Sequence, residues 1–199
     1  MVFISTVAVY GCESGELITE EHPLEGDTPY AKSKIMAEMY LADWCSRNGV
    51  ALGILRPSLL AGIGAPGNLG VMVNGIRKGF YMNIVGGKVI KSILMAEDIA
   101  RIIPMLVEKG GIYNVCDTCQ PSFGKLSESV ARQMGKRKPI SIPYWIAKCM
   151  ALVGDLLGPK APINSYKLEK MTKSLTFSNE KARRELGWEP LDILKNYTI

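Results

Sequence analysis

A tyrosine and a lysine one helical turn apart are the residues of this sequence best suited to move a proton. They are Tyr30 and Lys34, in the segment TPYAKSK of residues 28–34. Residues four apart lie on the same face of a helix. A free phenol, with a pKa of about 10, is a poor acid or base near neutral pH, and a nearby ammonium stabilises its phenolate. The pair therefore predicts general acid/base chemistry, although the same spacing also fits two solvated side chains.

The helix that must carry this pair has sequence signals at both ends. Thr28 can cap it, Pro29 suits its first turn, and Gly49 is a typical stop. Between them, residues 30–48 contain neither glycine nor proline. The sequence therefore predicts a single helix with one broad buried face. The apolar residues expected on that face are Ile35, Met36, Met39, Tyr40, Ala42 and Trp44.

Short apolar strands are predicted on either side of this helix. Residues 2–4 form the first strand, just before Thr6, and residues 51–55 form the second, which ends at Arg56 and Pro57. Strand, helix and strand make a βαβ unit, so we expect a parallel sheet. Because α/β folds place their chemistry at the carboxyl ends of such strands, the Thr6 hydroxyl becomes a third candidate. Its alternative role is to cap the end of the strand.

Composition excludes several classes of function. The 199 residues are 47% hydrophobic and 22% charged, which is typical of a soluble globular domain, and the net charge is a mild +5. The densest basic run, residues 136–138, is too short for a nucleic-acid-binding arm. Residues 144–158 are apolar but interrupted by Lys148 and Asp155, so we expect a buried helix there and no membrane partner. No signal peptide is visible, which predicts a cytoplasmic protein.

The five cysteines give no sign of a disulfide framework, because they are odd in number and scattered. Cys116 and Cys119 have the spacing of metal and redox pairs. A structural zinc site needs four ligands, however, and His22 is the only histidine in the sequence. We therefore predict no metal site, and reduced thiols are the default for the cytoplasm.

Six short motifs follow one another along the chain. They are FISTVAVYG (3–11), PYAKSK (29–34), LRP (55–57), MAEDIA (95–100), YNV (113–115) and KARRELGWEP (181–190). Together they resemble the extended short-chain dehydrogenase/reductase family, in its branch of NAD-dependent nucleotide-sugar epimerases and dehydratases. The resemblance covers nearly the whole chain.

This resemblance implies an α/β fold. The chain would form the C-terminal portion of a Rossmann-like, doubly wound parallel sheet plus the small α/β substrate-binding domain. Residues 1–60 would be a remnant of the dinucleotide-binding domain that carries the catalytic elements. Residues 61–199 would be the substrate-binding region, interleaved with the last Rossmann strands and helices.

The resemblance also implies roles for the catalytic candidates. Tyr30 is similar to the general acid/base of the family. Lys34 is similar to the lysine that supports this tyrosine and bonds the nicotinamide ribose. Thr6 is similar to the Ser or Thr that shares a hydrogen bond with the sugar hydroxyl. The cofactor would be NAD, in contact with Tyr30, Lys34 and Pro57.

Four further residues resemble the substrate-binding positions of the family. Asn68 and Leu69 begin a predicted helix and resemble the segment that meets the nucleotide diphosphate, although Asn68 could equally cap that helix. Lys91 falls where related epimerases often carry a phosphate-binding arginine, and it keeps the charge without the bidentate fork. Lys167 lies near a segment that lines the sugar pocket in the family. Solvent-facing lysines remain an alternative for Lys91 and Lys167.

Members of this family begin with a glycine-rich turn and an acidic residue that bind the dinucleotide, and the sequence shows neither. The chain therefore resembles the C-terminal part of such a protein, without about 100 residues. On this basis we expect the chain alone to bind no NAD usefully and to be inactive. We also expect Val2–Ser5 to form an unpaired sheet edge, which would favour a homo-oligomer.

The reaction implied for the complete protein is 4-epimerisation of a UDP-hexose or UDP-N-acetylhexosamine. Tyr30 would take the proton of the C4 hydroxyl while the C4 hydride passes to NAD and returns to the other face of the sugar. A 4,6-dehydratase is disfavoured because that branch has Asp-Glu after its Thr, whereas Val7 and Ala8 follow Thr6. An NAD(P)-dependent 4-ketosugar reductase remains open, as does a non-catalytic fragment that binds a sugar nucleotide or a protein.

Overall fold

The computed structural model describes residues 1–62, 64, 67–158 and 163–199, which fall into two compact units. Unit 1 consists of residues 1–62, 92–120 and 175–197, and unit 2 of residues 63–91, 121–174 and 198–199. Each unit is therefore assembled from separate stretches of the chain.

The strands are short, and every pairing between them is parallel. In the described residues they are β1 (Val2–Ile4), β2 (Gly15–Ile18), β3 (Gly53–Pro57), β4 (Leu59–Ala61), β5 (Asn83–Ile84), β6 (Ile93–Met95), β7 (Gly111–Val115), β8 (Ser141–Ile142) and β9 (Leu175–Phe177). The largest sheet has the order β1-β3-β7, and the pairs β2-β9, β4-β6 and β5-β8 complete the set. The prediction of an α/β fold built on parallel strands is confirmed.

Helices connect most of these strands. In the described residues they are α1 (Pro29–Asn48), α2 (Gly67–Lys78), α3 (Ala96–Lys109), α4 (Phe123–Gln133), α5 (Tyr144–Leu157), α6 (Ser165–Thr172), α7 (Glu180–Leu186) and α8 (Ile193–Asn196). A turn of 3-10 helix, Val7–Tyr10, follows β1. None of the described helices combines the length and the apolar character needed to cross a membrane.

The predicted βαβ unit is present as β1, α1 and β3. The Thr28 hydroxyl oxygen accepts a hydrogen bond from the Ala31 amide at 3.1 Å, and Gly49 ends the helix in the left-handed conformation with φ of 65°. β1 pairs with β3 in parallel, with Phe3 opposite Ile54. Among the strands that the structure describes, β1 is the first of its sheet, so its other side is an edge.

The C-terminal motif KARRELGWEP is part of the core of unit 1. Trp188 is 1% exposed and packs in a cluster with residues of β3, β6, β7 and α3. The Asp98 carboxylate accepts a hydrogen bond from the Leu191 amide at 3.0 Å, and burial raises the pKa of this carboxyl. Asp98 of the MAEDIA motif therefore holds the chain just after the KARRELGWEP motif in place.

The predicted buried face of α1 is wrong. Met36 is 70% exposed, and Met39, Tyr40, Ala42 and Trp44 are exposed as well, while Ile35 is half-buried. The buried residues of α1 are Ala31, Glu38 and Cys45. The helix turns this other face to the protein because Glu38 is bound there by a buried arginine, a contact that hydrophobic periodicity does not detect.

The prediction of a buried helix at residues 144–158 is also wrong. The buried residues of α5 are only Ala147, Ala151 and Gly154, which lie on one face at spacings of four and three. The two alanines pack with Leu168 of α6 and with partly buried isoleucines of unit 2. Small side chains let the helices approach closely, and the large apolar side chains of α5 consequently point outward, with Leu156 88% exposed.

Candidate functional site

Lys34 ties α1 to the end of β1. Its Nζ atom donates a hydrogen bond to the Ile4 carbonyl oxygen at 2.9 Å and lies 4.8 Å from the centre of the Phe3 ring. Ile4 is the last residue of β1, and Thr6 follows two residues later. The ammonium group therefore lies at the carboxyl end of the strand, where parallel α/β folds place their chemistry.

Thr6 begins the 3-10 turn. Its Oγ1 accepts a hydrogen bond from the Ala8 amide at 3.2 Å, and its side chain is half-buried. A threonine hydroxyl has one proton to donate and two lone pairs. The bond to Ala8 uses a lone pair and leaves the hydroxyl proton for another acceptor.

Gly26 joins the segment after Thr6 to the start of α1. Its amide donates to the Val9 carbonyl oxygen at 2.9 Å. A Cβ atom at this position would lie 2.7 Å from the Ala8 carbonyl oxygen and 2.5 Å from the Ala31 Cβ. The main chain that follows Thr6 and the side chain of Ala31, next to Tyr30, thus both lie close to Gly26.

Tyr30 precedes Lys34 by one turn of α1 and is 56% exposed. Its phenol is therefore accessible to a ligand. The structure places the three catalytic candidates in two neighbouring segments at one end of β1. Pro57, the candidate from the next strand, is buried at the end of β3 and pairs with Val115.

We expect Gly26→Ala to lower the free energy of unfolding by about 1–3 kcal/mol, the usual cost of overpacking. The added methyl would collide with the Ala31 Cβ and with main-chain oxygen, neither of which can rotate away. Urea denaturation would measure the change. Gly62→Ala is the matched control, because its Cβ would come no nearer than 3.3 Å to the Ala96 Cβ. Equal stabilities of the two variants would contradict the close approach at Gly26.

Sequence reasoning missed a buried ion pair on the same face of α1. Glu38 lies four residues after Lys34, and its two carboxylate oxygens accept from Arg56 Nη2 at 2.6 Å and Nε at 3.1 Å. Both side chains are 4% exposed. The Ser5 hydroxyl also donates to Glu38. Continuing the four-residue spacing from Tyr30 to residue 38 would have pointed to this glutamate.

The ion pair continues into a buried hydrogen-bonded network. Arg56 Nη1 donates to the Tyr10 hydroxyl at 2.9 Å, and that hydroxyl donates to Asn114 Oδ1 at 2.7 Å. The Asn114 amide donates to Glu20 Oε1 at 2.8 Å. Burial raises the pKa of Tyr10, so its hydroxyl keeps the proton that it donates. The network links β3, β7, α1 and the 3-10 turn, and so holds the elements that carry Thr6, Tyr30 and Lys34.

The two cysteines of the Cys116–Cys119 pair lie in different surroundings. The Cys116 thiol donates to the Phe177 carbonyl oxygen at 3.2 Å, and burial raises its pKa to about 12. Cys119 is exposed, and its thiol is grouped with the carboxylates of Asp117 and Asp192. The Asp117 oxygens already accept from two amides, those of Cys119 at 2.9 Å and Ile193 at 2.8 Å. These groups hold a turn of the chain and the start of α8.

Unit 2 contains a cavity of about 310 Å³. Three lysines are among its lining residues, together with aromatic and apolar side chains and the amides of two asparagines. The lining residues are Asn68, Val71, Tyr81, Met82, Asn83, Ile84, Gly87, Val89, Lys91, Phe123, Lys167, Lys170 and Met171.

Three of the four predicted substrate-binding residues line this cavity. Asn68 is the second residue of α2, so it lies within the first helical turn and does not cap it. Lys91 and Lys167 come from separate segments of unit 2. Leu69, the fourth, is fully buried and does not line the cavity.

Further side chains line the cavity beside these three residues. Tyr81 and Phe123 add aromatic surface, and Lys170 adds a third ammonium. Burial raises the pKa of Tyr81 to about 12, so its phenol is a hydrogen-bond donor at neutral pH. Asn83 donates to the Ser127 hydroxyl at 3.0 Å, which fixes its amide. Cations, donors and flat apolar surface together suit an anion attached to a ring system.

The sequence matches the NAD dependent epimerase/dehydratase family over residues 1–116. Among curated relatives, the chain is 26% identical over 192 residues to the N-acetyl-alpha-D-glucosaminyl-diphospho-ditrans,octacis-undecaprenol 4-epimerase of Escherichia coli O157:H7. The match covers 91% of this chain and 58% of the relative. The chain thus spans little more than half the length of that protein.

Solved structures with the same fold are also similar. The UDP-glucose 4-epimerase of Thermotoga maritima, crystallised with UDP-glucose, matches with a TM-score of 0.69 and 20% identity over 98% of this chain and 60% of that one. The dTDP-glucose 4,6-dehydratase of Bacillus anthracis, crystallised with NAD, matches with a TM-score of 0.66 and 20% identity over 98% of this chain and 59% of that one. With the match over more than half of its residues, the chain belongs to the NAD dependent epimerase/dehydratase family.

Proposed function

We propose that this chain supplies the proton-transfer group and the diphosphate-binding site of an NAD-dependent nucleotide-sugar 4-epimerase. One observation carries the proposal. Lys34 is bonded to the last carbonyl of β1, with Tyr30 one turn away on the same helix and Thr6 just beyond the strand. This arrangement presents an exposed phenol, an ammonium and a hydroxyl at the end of a parallel strand.

Each of these residues has a distinct task in the proposed reaction. Tyr30 accepts the proton of the sugar C4 hydroxyl as the carbonyl forms, and returns it when the carbonyl is reduced. The Thr6 hydroxyl donates a hydrogen bond to the same sugar oxygen. Lys34 contributes an ammonium group at the end of β1, one helical turn from Tyr30. The bound nicotinamide would accept and return the hydride.

The residues of this chain fit the ribose end of that cofactor. An ammonium has three N–H donors, and the bond to Ile4 uses one of those on Lys34. The others suit the hydroxyls of a ribose, while Pro57 at the end of β3 is the proposed neighbour of the nicotinamide. The pyrophosphate is not assigned to any residue of this chain.

The cavity of unit 2 is the proposed site for the substrate diphosphate. Lys91, Lys167 and Lys170 supply positive charge, and Asn68 and Tyr81 supply hydrogen-bond donors. Phe123 offers a flat apolar surface for a nucleoside base. The volume is at the lower end of the range for ligand sites, so the cavity suits a nucleoside diphosphate better than a complete nucleotide sugar.

The curated Escherichia coli relative, which is named as a 4-epimerase, favours the epimerase over the other family reactions. The residues after Thr6, Val7 and Ala8, have no group that could remove water, which argues against a dehydratase. A ketosugar reductase would use the same three residues and stays the alternative.

A lipid-linked sugar diphosphate is a second candidate substrate. The Escherichia coli relative is named for a sugar joined through a diphosphate to undecaprenol. The same lysines could bind that diphosphate. The specific observation that favours this candidate is the exposed apolar surface of α5 in the same unit.

The 199-residue chain should bind UDP saturably. Lys91→Ala and Lys167→Ala should each weaken that binding by about tenfold or more, because each variant removes a charge-assisted hydrogen bond to the diphosphate. Isothermal titration calorimetry would measure the affinities. Lys125→Ala is the control, because Lys125 is an exposed lysine of unit 2 outside the cavity. No UDP binding, or equal losses in all three variants, would refute the proposed site.

A further inference from the structure

The outward face of α5 is a continuous apolar stripe. Trp145, Cys149, Leu152, Val153 and Leu156 follow spacings of four, three, one and three, which places them on one side of a helix. Trp145 is 66% exposed and Leu156 is 88% exposed. The opposite face is the one that packs inside unit 2. Contiguous exposed apolar surface of this kind usually marks a contact with another body.

Charge accompanies this stripe. The sequence stretches of unit 2 contain 14 lysines and arginines and 3 aspartates and glutamates, a formal net charge of +11. The rest of the chain holds 10 basic and 16 acidic residues, a net charge of −6. The mild net charge of the whole sequence therefore conceals one strongly basic unit.

Basic residues lie on α5 and in the segment that precedes it in the sequence. Lys148 is exposed on the helix one turn after Trp145, and Lys136 and Arg137 are exposed in the segment that leads to β8 and α5. Asp155 is the only acidic residue of the helix, and its carboxylate accepts hydrogen bonds from the Ser165 hydroxyl at 2.5 Å and from the Ser165 amide at 3.0 Å. α5 and the segment that leads to it thus carry exposed positive charge, and the one carboxylate of α5 is engaged by the protein.

We propose that α5 binds flat on the surface of an anionic phospholipid membrane, with its apolar stripe among the acyl chains and the surrounding lysines at the headgroups. An interfacial helix needs an apolar face bordered by basic residues, often with tryptophan, and it need not span the bilayer. The 14 residues of α5 are too few to cross a hydrocarbon core, which takes about 20. Pairing of two copies through this stripe would not explain the charge, because it would bring together two units of +11, which repel each other.

This proposal departs from the expectation, drawn from composition, that the chain has no membrane partner. That expectation treated residues 144–158 as a buried helix, and α5 is not buried. The membrane contact uses none of the cavity or proton-transfer residues, so its test is separate from the test of the proposed UDP site.

Vesicle sedimentation with the purified 199-residue chain tests the proposal. The chain should sediment with vesicles of equal parts phosphatidylcholine and phosphatidylglycerol, and much less with phosphatidylcholine alone. Leu152→Ser/Leu156→Ser should reduce partitioning by about tenfold or more. Met105→Ser/Val107→Ser, which changes exposed apolar residues of α3, should leave it unchanged. Lys136→Glu/Lys148→Glu should weaken binding and reduce its dependence on salt.

Tryptophan fluorescence gives a second measurement that does not depend on truncating the stripe. Trp145→Phe should abolish the blue shift seen when anionic vesicles are added, whereas Trp44→Phe should retain it. Sedimentation of the wild-type chain that the α5 variants do not reduce would overturn the proposal, as would a failure to sediment. Dimerisation lost in the α5 variants, without vesicle binding, would overturn it in favour of a second copy.

Discussion

Replacing Tyr30 by phenylalanine should lower kcat by about 10²–10⁴-fold, the usual contribution of a positioned acid/base. The measurement needs an active enzyme, which can be built by joining this chain to the part of the Thermotoga maritima UDP-glucose 4-epimerase that it does not match. The loss is expected because the variant has no group to take the C4 hydroxyl proton. The ring remains, so packing and substrate binding should change little.

Tyr40→Phe is the matched control for this experiment. Tyr40 is another tyrosine of α1 and is 65% exposed. It lies about three helical turns after Tyr30, outside the candidate site. We expect it to keep full activity. If the two variants were equally active, the assignment of Tyr30 as the acid/base would be wrong, although the UDP site of unit 2 would be unaffected.

Arg56→Met should lower the free energy of unfolding by about 3–5 kcal/mol. The substitution leaves the Glu38 carboxylate buried without its bidentate partner, and also removes the donor to the Tyr10 hydroxyl. Urea or guanidinium denaturation, followed by circular dichroism, would measure the change. Glu38→Met/Arg56→Met should recover much of the loss, because it removes both buried charges together.

Arg47→Met provides the comparison. Arg47 forms an ion pair with Asp43 on the exposed surface of α1, and such pairs contribute about 0–1 kcal/mol. A small effect of Arg56→Met, similar to that of Arg47→Met, would mean that the buried network does not hold α1 against the sheet. The proposed placement of Tyr30 and Lys34 would then lose its structural support.

Local sequence signals predicted the elements that carry the candidate site. The cap at Thr28, the proline after it and the stop at Gly49 were correct, and the strands before and after α1 were recovered with small shifts. β2 was missed: its four residues, GELI, lie in a polar connection and are held by pairing with the distant β9. β4 was missed as well, because its three residues are too few to show a strand pattern and a glycine-rich stretch, residues 62–70, follows them directly. A strand that depends on a remote partner has no local signal to detect.

Tertiary contacts decided which helix faces are buried. Hydrophobic periodicity assigned the buried side of α1 to its methionines and aromatic residues, yet the structure buries Glu38 because Arg56 and Ser5 lie opposite it. For α5 the small residues Ala147, Ala151 and Gly154 are buried and the large ones are exposed. In both cases the buried face depends on the residues that pack against the helix, and the sequence of the helix alone does not contain that information.

The amino-acid sequence by itself determined the parallel α/β architecture, the helix that bears Tyr30 and Lys34, and membership of a family recognised by ordered motifs. These follow from local caps, spacings and apolar runs, which act within a few residues. Only the tertiary structure revealed the Glu38–Arg56 network, the grouping of Asn68, Lys91 and Lys167 around one cavity, and the exposed stripe of α5. Each of these joins residues far apart in the chain or depends on their burial, and the packed fold alone brings such partners together.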